Sequence, residues 1–109
     1  MAYDKKLADR IRKALSKQPK LTEREMFGGI GFMLRGNMAC GVIGQELMVR
    51  IAKEETDSAI KEPGARIFDF SGRPSPGWIL VNQRVLGKPA ELKAWVIRGV
   101  EYALSLPAK

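Results

Sequence analysis

Few residues in this sequence are suited to covalent or acid–base chemistry. Its 109 residues include no histidine and one cysteine, Cys40. A Ser-His-Asp triad, a Cys-His pair, a His-ligated metal and an internal disulfide are therefore excluded. Ser58-Ala59-Ile60-Lys61 has the Ser-x-x-Lys spacing in which a lysine one helical turn away deprotonates a serine. That chemistry needs two further signatures, absent here, and an exposed lysine stays protonated at neutral pH, so the spacing reads as coincidence. Glu54, Glu55 and Asp57 gather at the start of a short helix, where the dipole favours negative charge, and capping is the simpler reading than acid–base work. Cys40, among Met38, Ala39 and Val42, reads as a small buried hydrophobe with no histidine to activate it. Gly29-Ile30-Gly31 opens a dinucleotide fingerprint, but Leu34 stands where the third glycine belongs and no helix follows. Structural glycines in a bent strand account for it better. The expectation is a protein that is not an enzyme, with no cofactor and no metal.

Recognition chemistry is better represented. Nineteen Lys and Arg against twelve Asp and Glu leave a net charge of +7. Eight of those cations fall in residues 1–24, against three carboxylates. Lys6, Arg10, Lys13 and Lys17 recur at i, i+4, i+7 and i+11, so a helix lines them along one side, where they are candidate nucleic-acid contacts. A solvated helix face explains the same pattern, because aromatics to stack on bases are missing there and Asp9 lies one turn from Lys5 and Lys13. Arg50 and Arg73 are candidate anion or partner contacts, since guanidinium offers a planar fork of donors; pairing with Asp69 or Glu46 is the alternative.

The elements that position these residues follow from periodicity. The chain, 12.1 kDa, reads as one domain spanning 1–109. Tyr3, Leu7, Ile11 and Leu15 predict a first helix over 3–17, stopped by Pro19. Thr22-Glu23-Arg24-Glu25 has capping-box spacing, yet the glycines after it favour a strand over 26–34. Short turns then separate strands 38–43 and 47–52, giving an antiparallel meander. A short helix is expected over 53–62, with Ala59 and Ile60 inward, then a strand over 65–70. Residues 71–77, stiffened by Pro74 and Pro76, read as a loop too long for a tight hairpin, leading into a strand over 78–81. Pro89 opens a last helix to Leu106, whose Gly99 implies close approach of another backbone. Leu92, Trp95, Val96, Gly99, Ala103 and Leu106 form one apolar face of it. Ile97, Val100 and Leu104 form a surplus second face, a candidate homodimer contact. The expected fold class is α+β: two layers, a five-stranded antiparallel sheet and the order α-β-β-β-α-β-β-α. The N-terminus carries no secretory signal and no apolar run is long enough for a membrane span. With its lone cysteine, the chain is expected to be cytoplasmic.

Several motifs together resemble the TfoX N-terminal domain family. They are Met26-Phe27-Gly28-Gly29-Ile30-Gly31-Phe32 with Gly36-Asn37-Met38 and Leu47-Met48-Val49-Arg50, then Phe68-Asp69-Phe70-Ser71-Gly72-Arg73-Pro74, Leu92-Lys93-Ala94-Trp95-Val96 and Tyr102-Ala103-Leu104-Ser105-Leu106-Pro107. The resemblance covers nearly the whole chain and implies an α-β3-α-β2-α fold of the secretion-chaperone-like kind. It also implies a regulatory rather than catalytic domain linked to bacterial competence genes, with no catalytic residue to carry over. Regulators of the family bear a second, C-terminal domain resembling helix-hairpin-helix modules; this sequence, ending at Lys109, is expected to be a stand-alone version. The leading expectation is a cytoplasmic regulatory or protein-interaction domain, a homodimer, with a role in transcription. The alternatives are a basic nucleic-acid-binding module using the first helix and a small-anion-binding protein using Arg50.

Overall fold

Asp4 starts the first helix, α1 (Lys5–Ala14), by accepting hydrogen bonds from the Lys6 and Leu7 amides at 2.9 and 3.2 Å. This computed structural model describes residues 3–18, 21–26, 28–70 and 72–107. The helix stop expected at Pro19, the charge of Lys20 and the motif positions Phe27 and Ser71 lie outside the described residues, as do the Met26 and Phe70 side chains. Leu7, Ala8, Ile11 and Leu15 are fully buried, so the apolar stripe holds although the helix proper ends at Ala14 rather than at 17.

Among the described residues six strands, not five, form one antiparallel sheet. They are β1 (Leu21–Met26), β2 (Gly29–Leu34), β3 (Asn37–Ile43), β4 (Glu46–Arg50), β5 (Ala65–Phe70) and β6 (Arg73–Asn82), in the spatial order β1-β2-β3-β4-β6-β5. The segment spaced as a capping box is β1, paired with β2 from Leu21↔Leu34 to Met26↔Gly29. A capping box needs a helix behind it, and here the chain reverses at once into β2. Thr22, Glu23, Arg24 and Glu25 are exposed, and such charge is how an edge strand resists pairing with other chains. The expected order α-β-β-β-α-β-β-α is thus corrected by one strand in the first run.

The proline-rich stretch is also strand. β6 begins at Arg73, opposite Phe70, so the expected loop over 71–77 is replaced by a close hairpin. Pro74 and Pro76 are tolerated because β4 pairs with β6 only from Trp78 to Asn82, so neither proline faces a β4 partner that would need its missing N–H. The register slips between Ile67↔Ile79 and Phe68↔Ser75, so residues 76–78 of β6 have no partner on β5, and Gly77 makes the turn among them at φ 88. Its amide donates to Thr56 Oγ1 at 2.7 Å and its carbonyl accepts from the Ile51 amide at 2.8 Å. The expected helix over 53–62 shortens to a 3-10 turn, Lys53–Glu55, and α2 (Thr56–Ala59); Ala59 is buried, but Ile60 faces solvent rather than the core.

Helix α3 (Pro89–Ser105) lies across the sheet. Between β2 and β3 the register shifts at Phe32/Met33, which leaves Ala39 as a bulge, and Gly99 rests on it. A Cβ on Gly99 would stand 2.0 Å from the Ala39 carbonyl oxygen, which accounts for a glycine in mid-helix. The core under α1 and α3 includes Phe32, Val42, Val49, Ile79 and Val96, each worth about 1.5–3 kcal/mol of burial. Met38, Met48 and Leu80 form a separate cluster with Ile43, Phe68 and Trp78, on the sheet face away from those helices. The Asn37 side-chain amide, itself buried, donates to the Pro107 carbonyl at 2.9 Å and ties down the end of α3. Among the described residues, no helix is long and apolar enough to cross a membrane.

Candidate interaction surface

The arginines of α1 are largely committed to the fold. Arg12 forks onto Glu23 of β1 at 2.8 and 2.9 Å, reaches Asp9 at 2.6 Å, and lies 5.9 Å from the Phe32 ring centroid. The Arg12 guanidinium holds the Glu23 carboxyl below its ordinary range, while Glu23 chiefly, then Asp9, drives the arginine pKa up. Arg10 is half-buried and donates through Nη2 to the Leu86 carbonyl. The lysines on the same side are exposed.

Where α1 runs beside α3, a groove of about 520 Å³ opens between them. Arg10, Lys13 and Lys17 line it from α1 and the segment after it, and Lys93 faces them from α3. Ala14, Leu92 and Ile97 supply its apolar part, with Pro89 at one end. Three of the four cations expected to form one stripe therefore meet here, whereas Lys6 is exposed outside the lining. Lys93 was missed by sequence reading. Its only signal is a lysine one turn before Ile97, and nothing in either helix alone says that the two faces meet.

The other expected contacts are dispersed. Arg50 ends β4 opposite Trp78 and lies within cation–π reach of two rings, 5.0 Å from the Trp78 centroid and 5.4 Å from that of Tyr102. Glu46 pairs with Arg66 instead of with Arg50 or Arg73. Arg73 is exposed at the start of β6. Of the proposed dimer face, Ile97 and Leu104 are 41% and 39% exposed, but Val100 is only 5% exposed and belongs to the core. The wide arc of α3 meets two surfaces, and Val100 is spent on the inner one.

The residues weighed for catalysis have structural surroundings. Ser58 Oγ donates to the Glu55 carbonyl at 3.1 Å, a helix-turn contact, and Lys61 is exposed. Cys40 is fully buried, and burial pushes its thiol up to about 12, far above the range where a thiolate forms at neutral pH.

No curated protein and no solved structure matches the chain. A family model described as the TfoX N-terminal domain matches residues 13–103, from within α1 to the last turns of α3. With the match covering most of its length, the chain belongs to the TfoX N-terminal domain family.

Proposed function

We propose that this chain is a non-catalytic regulatory domain, competence-related as its family suggests, that acts by recognising a partner protein through the groove between α1 and α3. The observation that supports this reading is the composition of the groove. Arg10, Lys13, Lys17 and Lys93 surround an apolar stretch, and its described lining includes no carboxylate. Unlike Arg12, which is paired with Glu23 and Asp9, its lysines form no ion pair among the described residues, which leaves them to a partner. The proposed setting is cytoplasmic, with the partner belonging to the machinery that controls transcription.

The test replaces Lys13, Lys17 and Lys93 together by Glu in the native cell. The triple variant is expected to melt as the wild type does, because all three side chains are exposed, yet to lose both the proteins cross-linked to the wild-type chain and its effect on competence-gene expression. Unchanged expression together with unchanged cross-linking would reject the reading. Self-association is a second reading, favoured by the exposure of Ile97 and Leu104 two turns apart on α3.

A further inference from the structure

We propose that the groove between α1 and α3 receives an acidic amphipathic helix presented by the partner protein, an inference that rests on the groove being the recognition surface. Two properties of the lining select this occupant. Ile97 is 41% exposed beside buried Leu92, so the groove offers apolar surface that only an apolar side chain covers favourably. Lys13 and Lys17 stand on one side of that surface and Lys93 on the other, so carboxylates flanking an apolar stripe meet cations on both sides. A helix with apolar residues at i, i+3, i+4 and i+7 and acidic residues on its flanks has this arrangement.

Nucleic acid fits the same surface less well. Arg10, the one guanidinium among the described lining residues, already gives an Nη2 donor to the Leu86 carbonyl, which draws it toward the protein and away from a phosphate. No aromatic ring is among the described lining residues, so an unpaired base has nothing to stack on. A phosphodiester backbone also gains nothing from covering Ile97.

The experiment uses the full chain and three fluorescent probes at physiological salt: a Leu/Glu amphipathic helical peptide, a scrambled peptide of the same composition, and a short DNA duplex. Anisotropy is expected to saturate with the amphipathic peptide and not with the other two. Lys13→Glu with Lys17→Glu should weaken that binding at least tenfold, and so should Ile97→Asp alone, with circular dichroism melting showing each variant folded. Lys93→Glu, on the opposite side, gives an independent third variant. Equal binding of the scrambled peptide, or indifference to Ile97→Asp, would reduce the effect to charge attraction and overturn the proposal. Saturable binding of the duplex in place of the peptide would assign the groove to nucleic acid and overturn it too. If the peptide fails while the Lys13/Lys17/Lys93 variant still abolishes partner cross-linking in cells, the helix is the wrong ligand and the recognition reading stands. If neither responds, both fall.

Discussion

Asp4 carries more of the fold than its place ahead of a basic helix suggests. One carboxylate oxygen caps α1 at the Lys6 and Leu7 amides, and the other accepts from the Gln83 side chain at 2.8 Å. Gln83 also donates to the Gln45 carbonyl at 2.8 Å, so the start of α1, the turn between β3 and β4 and the residue after β6 are joined through the Asp4 carboxylate and the Gln83 amide. Replacing Asp4 by Ala is expected to cost about 1 kcal/mol, the usual worth of an N-cap, and to lower the melting temperature. The pH dependence of that loss has a definite sign. The Gln83 hydrogen bond first, then the Leu7 amide, hold the Asp4 carboxyl below its ordinary value. A depressed carboxylate pKa stabilises the fold fully above the unfolded value, and the stabilisation disappears as pH falls through the folded one. Urea unfolding of wild type and Asp4→Ala should therefore differ most near neutral pH and converge as the solution is acidified below about 4. A gap that stays constant into acid would mean that the cap acts through its shape and not its charge. The Arg12–Glu23 fork acts in the same pH direction, but both side chains are more than a third exposed, so its share is under about 1 kcal/mol.

The elements that periodicity determines were legible in the sequence, and those that depend on pairing were not. Leu7, Ile11 and Leu15 marked α1, and the helical repeat of Leu92, Val96 and Ala103 marked α3, because a buried face leaves its spacing in the sequence however the rest of the chain folds. β1 was not legible. Thr22 to Glu25 has the charge of a turn or a cap, and only its ladder to β2 makes it a strand. Pro74 and Pro76 likewise argue against a strand unless it is known that β4 stops short of them. Gly99 is the intermediate case. Its position in mid-helix signalled a close neighbour, while the neighbour, the Ala39 bulge, became visible only in the packed structure. Gly99→Ala tests that contact. In an open helix the change would stabilise by about 1 kcal/mol. Here the added methyl meets a carbonyl oxygen at 2.0 Å, and relieving it means lifting α3 from β3 or shifting the bulge, an overpacking cost of about 1–3 kcal/mol or more. Chemical denaturation is expected to show a net loss of stability. A gain would place Gly99 off the bulge.

At the scale of the whole molecule, charge and apolar surface have to be considered together. A net charge of +7 predicts an affinity for polyanions at low salt that depends on no particular site. The candidate site was half legible for this reason: α1 showed its cations, but the groove needs Leu92, Lys93 and Ile97 from a helix some eighty residues later, and that juxtaposition is tertiary. Burial of Val100 likewise reduces the expected dimer face to Ile97 and Leu104, of which only Ile97 reaches the groove. That division separates self-association from partner binding. If two copies meet along α3, light scattering at micromolar concentration gives twice 12.1 kDa, and Leu104→Asp returns the chain to 12.1 kDa while leaving the acidic-helix probe bound as before. Ile97→Asp removes both. A wild-type chain that stays at 12.1 kDa as its concentration rises rejects self-association along α3 and leaves Leu104 as an ordinary exposed leucine, common on folded proteins.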